Sequence, residues 1–116
     1  MGREVFEKYE KLEAEIKREK AEALGRAGER LEEALLRLAE LRRAIEALNR
    51  IVAIKHPAPN IQQTICLLTQ EYHRLRERAL RYYQYLIIQR EAVGFYDHRE
   101  VERFYRVPDP LPDPRL

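Results

Sequence analysis

The sequence predicts an all-α protein. It is a long antiparallel helical hairpin, coiled-coil-like, with a short third helix and an extended proline-rich C-terminal tail, assembling into an oligomeric helical bundle. Three observations carry this. Apolar residues recur in alternating steps of three and four over two long segments, the spacing that returns side chains to one helix face. Glycine and proline fall almost entirely between or after those segments. Charged residues make up 36% of the 116 residues, with Glu, Arg, Leu and Ala abundant, a composition of long helices.

The first helix is expected over about residues 3–55. Its second half has the stripe Leu31, Ala34, Leu38, Leu41, Ile45, Leu48, Val52. The first half has a weaker one in Val5, Tyr9, Leu12 and Ile16. Gly25 and Gly28 lie between the two, in "AEALGRAGER". Interior glycines mark either a weak point in a continuous helix or a close approach of another backbone; both flanks favour continuity.

The turn is expected at residues 56–60, in "KHPAPN", where Pro57 and Pro59 cannot continue a helix. Asn60 with Gln63 reads as a capping box opening the second helix, about residues 61–93. Its seam is Ile61, Ile65, Leu68, Tyr72, Leu75, Ala79, Tyr82, Leu86, Gln89, Val93, opposite a polar face of Gln63, Gln70, Glu77, Gln84 and Glu91. Gly94 is a helix stop. A third helix, about residues 97–106, follows. Asp97 and Glu100 read as its capping box, Tyr96 as a staple onto Val101, and Val101, Phe104 and Tyr105 as its apolar face. Residues 1–106 thus form one helical domain. Residues 107–116 form the tail, with Leu111 and Leu116 as its apolar anchors; it is expected to lie against a helical surface through Leu111.

Length sets the functional expectation. At about 1.5 Å per residue the first helix is about 80 Å long and the second about 50 Å. Folded back from the turn, the second covers the first only to about Ala23. Phe6, Tyr9, Leu12 and Ile16 are left without cover. Near the same level the second helix is apolar on several sides at once: Tyr82, Tyr83, Tyr85, Leu86, Ile87, Ile88 and Phe95 form a collar. One partner helix buries one stripe, so the collar needs more than one. The third helix supplies one and a second subunit another. A homo-oligomer, with a dimer favoured, and a protein partner are therefore expected, and tyrosine suits such an interface.

Charge offers a second candidate. Residues 1–41 hold nine basic and eleven acidic groups, residues 42–90 nine and three, residues 91–116 four and six. Arg43, Arg50, Arg74, Arg78 and Arg81 in the basic middle are candidate contacts for nucleic acid or another anion, unless they pair with glutamates of a neighbouring helix.

Nothing points to an enzyme, a cofactor, a metal or a small-molecule substrate. The chain has no serine, and "LGRAGER" lacks the lysine of a phosphate loop. Neither Glu-x-x-His, His-Glu-x-x-His nor Cys-x-x-Cys occurs. His73 is expected to be partly buried and hydrogen-bonded rather than a ligand. The lone Cys66 fits a reducing compartment, and no uncharged run is long enough for a membrane span, so a cytoplasmic protein is expected. The function expected is a non-enzymatic interaction or scaffolding module, an accessory subunit; the alternative is a small basic subunit of a nucleoprotein assembly.

Overall fold

Two helices joined near residue 56 account for almost all of the architecture. The computed structural model describes residues 2–54 and 58–115. Lys55, the expected end of the first helix, His56 and Pro57, the start of the expected turn, and the tail anchor Leu116 lie outside the described residues. Helix α1 spans Gly2–Ile54, α2 spans Pro59–Ala92 and α3 spans Arg99–Phe104. The molecule is a rod of 82 × 25 × 17 Å. Its long dimension is that of α1, about 80 Å for 53 residues.

The hairpin core is the two seams closed on each other. Leu31, Ala34, Leu38, Leu41 and Ile45 of α1 are buried, as are Ile65, Tyr72, Leu75, Ala79 and Leu86 of α2. Leu48, Val52, Ile61, Leu68 and Tyr82 pack half-buried against them. Among the described residues the one buried polar side chain of this core, Thr69, donates its hydroxyl to the Ile65 carbonyl at 2.7 Å. α1 runs unbroken through Gly25 and Gly28, and nothing lies within 4 Å of a β-carbon at either position. The glycines therefore mark no close approach of a backbone within the described chain.

The helix starts differ from the sequence expectation. α2 opens at Pro59, with Ala58 as N-cap at ψ 143° and no side-chain cap. A proline at the first helical position has the right φ and no amide hydrogen to satisfy, and it holds the preceding residue extended. Asn60 is thereby inside the helix and the Asn60–Gln63 capping box does not form. α3 is shorter than expected, and His98, not Asp97, is its N-cap. The Asp97 carboxylate accepts from the Arg99 amide at 3.1 Å and from the Arg99 guanidinium at 2.7 Å, which holds it below its ordinary pKa. A carboxylate engaged two residues ahead cannot cap with Glu100. Tyr96 is 74% exposed and Phe104 70% exposed, so there is no staple onto Val101, and Phe104 is not on the buried face of α3.

Gly94, at φ 95°, reverses the chain after α2. His98 ties the reversal down: Arg90 Nε donates to its Nδ1 at 3.3 Å, and its Nε2 lies 3.1 Å from the Glu91 carboxylate. From there α3 and the tail run back along one groove of the hairpin toward the turn. Val101 is buried, and Tyr105, Val107 and Leu111 pack on the core. The tail docks as expected, through Leu111 and through its backbone. Tyr72 Oη donates to the Asp109 carbonyl at 3.1 Å and Arg76 Nε to the Pro108 carbonyl at 2.7 Å. The Leu111 amide donates to His73 Nε2 at 3.1 Å, so His73 is half-buried and hydrogen-bonded. Residues 108–111 of the tail meet the middle of α2, and Val107 at its start reaches the collar beside Tyr83.

Candidate functional site

Among the described residues no third helix covers the groove opposite the tail. His73, one residue after the seam position Tyr72, faces the tail; Glu71, one residue before it, lies about 100° to the other side. There Glu71 accepts from Arg37 at 3.2 Å, the ion pair that crosses between the long helices among the described residues. Both members are half-exposed, so it contributes little stability.

α1 outruns α2. Every described residue from Gly2 to Glu22 is exposed, and burial begins at Ala23, where the comparison of helix lengths put it. On this overhang Val5 is 67% exposed, Phe6 62%, Tyr9 64%, Leu12 54% and Ile16 42%. Val5, Tyr9, Leu12 and Ile16 continue the same three–four alternation that buries Leu31 to Ile45 farther on. They form a seam of the right chemistry with no helix opposite.

The structure divides the collar. Leu86 is buried, and Tyr82, Tyr83 and Ile87 are half-buried against the core. Tyr83 lines a hollow with Leu80, Glu102, Arg106 and Val107, so α3 and the start of the tail supply its cover. Tyr85 at 45%, Ile88 at 60% and Phe95 at 52% remain exposed. Phe95 lies under the Arg90 guanidinium, 5.3 Å from its ring centroid. Further apolar surface lies outside both seams: Leu36 is 66% exposed and Leu67 59%. Doubled leucines, Leu35–Leu36 and Leu67–Leu68, carry the signal, since of two adjacent helical residues only one can face a seam.

The five candidate arginines fall on two faces. Arg43 and Arg50 lie on the α1 side beyond Arg42 and Asn49, which line the tail groove with Leu111. Arg74, Arg78 and Arg81 share the outward side of α2, at spacings of four and three, with exposed Tyr85 one turn on. All five are exposed, and none joins an ion pair among the described residues.

Among the described residues no group of three His, Cys, Asp or Glu side chains is arranged to hold a metal ion. No described helix is long and apolar enough to cross a membrane. No family model, curated protein or solved structure matches the chain.

Proposed function

We propose that this protein is a non-enzymatic helical interaction module, a scaffolding or accessory subunit that works by oligomerising and by presenting helical surface. One observation carries the reading: the core seam of α1 extends past the end of α2 as exposed Val5, Tyr9, Leu12 and Ile16, with exposed Phe6 beside them. Burying them is worth about 1–2 kcal/mol each. An unpartnered helix of about 20 residues in water is otherwise marginal. Exposed Tyr85, Ile88 and Phe95 add to the surface where α2 ends. A cytoplasmic setting belongs to the same reading, supported by the unpaired thiol of Cys66. Sedimentation equilibrium at micromolar concentration tests it. A mass at least twice 13.9 kDa is expected, and 13.9 kDa throughout contradicts it.

The outward row Arg74, Arg78 and Arg81 supports a second reading, a basic subunit that contacts the phosphates of nucleic acid, with Tyr85 available for stacking. Its mark is affinity that falls steeply with salt and is lost in the triple Arg→Glu variant without loss of helix. No binding to nucleic acid at low salt removes it.

A further inference from the structure

The overhang has the pattern of one strand of a two-stranded zipper, and its apolar seam and flanking charges can be matched by a second copy of itself. We propose that two copies of this chain pair through their overhangs, antiparallel, about a two-fold axis near residues 10 and 11. This rests on the interaction reading above and names the occupant of the exposed seam.

In that register Val5 faces Ile16 of the second copy and Tyr9 faces its Leu12, so all four apolar levels are filled twice over. Continuity with the hairpin sets the orientation. α2 already lies antiparallel on this same face of α1 down to about Ala23. A second copy in the same sense takes up the seam where α2 leaves it. A parallel copy brings its own α2 onto that face, and the two hairpins collide or splay from that level onward.

Charge agrees. In the hairpin, Arg37 precedes the seam residue Leu38 and Glu71 precedes the seam residue Tyr72, and the two pair at 3.2 Å. Residues that precede these seam positions thus lie on the same side of two antiparallel helices. On the overhang that flank carries Lys8, before Tyr9, and Glu15, before Ile16. About the proposed axis Lys8 of each copy lies within one turn of Glu15 of the other, giving two opposite-charge pairs. Shifting the register by a heptad either way sets Lys8 against Lys8 or Glu15 against Glu15 and loses apolar levels. On the other flank Glu13 of each copy falls beside Phe6 of the other, so no like charges are opposed there.

The test is a charge swap read by sedimentation equilibrium on the full-length chain at low salt. Glu15→Lys sets lysine against Lys8 twice and raises the dissociation constant about tenfold. Lys8→Glu with Glu15→Lys restores both pairs, and the affinity returns. In a parallel zipper the same double variant weakens pairing further, because Lys8→Glu then faces Glu13 and Glu15→Lys faces Lys20; that result overturns the proposal. Leu12→Glu abolishes pairing, with the hairpin's thermal unfolding as the control for folding. A dimer that survives Leu12→Glu overturns this interface yet leaves the interaction reading standing. A monomer at every concentration ends both.

Discussion

Three tyrosines of the hairpin keep their phenols neutral for two different reasons. Burial raises Tyr72 and Tyr83 above the ordinary phenol value of 10.0. For Tyr105 the chief cause is its hydrogen bond to the Glu32 carboxylate, 2.7 Å away, which phenolate formation would turn into repulsion. A folded-state pKa raised above the unfolded one means stability that is whole below pH 10 and is lost as the pH rises through the raised values. Thermal unfolding is therefore expected to move to lower temperature above about pH 10. Tyr105→Phe is expected to cost about 1 kcal/mol at neutral pH and to blunt the alkaline fall, since it removes the bond that couples the end of α3 to α1. An unchanged melting profile in Tyr105→Phe at both pH values counts against the contact. The Tyr105–Glu32 pair was not legible in the sequence. Its members are 73 residues apart, and nothing local in either stretch marks the other.

The elements were legible in proportion to the length of their pattern. α1 and α2 follow from seams repeated over many turns, and each turn adds evidence that a single cap does not. The two capping boxes were the weakest part because each rests on two polar residues that have other uses. Pro59 displaced Asn60 by offering a better first helical residue, and Arg99 took the Asp97 carboxylate. The tail was legible as an extended piece that docks through Leu111. Its position was not, because backbone acceptors such as the Pro108 and Asp109 carbonyls carry no sequence signal. The tail closes one groove with half-buried Val107 and Leu111 and meets Tyr72, His73 and Arg76 through its backbone. Ending the chain after Tyr105 is expected to cost about 2–3 kcal/mol and to lower the unfolding midpoint by about 10 °C. Calorimetry of the truncated chain checks this, and an unchanged midpoint would mean that the tail contributes nothing to the hairpin.

Over the whole rod, stability and association occupy different lengths of the same helix. Buried residues on α1 run from Ala27 to Ile45, whereas Gly2 to Glu22 bury nothing against the rest of the described chain. The hairpin core therefore owes the overhang nothing, and the overhang has only its intrinsic helix propensity to hold it in the free monomer. A helix of that length without tertiary cover frays and exchanges its amides quickly, while core amides open only with the hairpin. Amide hydrogen exchange across a dilution series separates the two. Protection of residues 27–45 and 65–86 is expected to stay constant with protein concentration. Protection of residues 5–20 is expected to be low in dilute solution and to rise as copies pair, because pairing supplies the missing half of their seam. Deleting residues 2–20 is expected to leave the hairpin folded, with its midpoint in dilute solution shifted by no more than about 2 °C. Protection of residues 5–20 as strong at high dilution as at high concentration would mean that the overhang finds its cover within one chain.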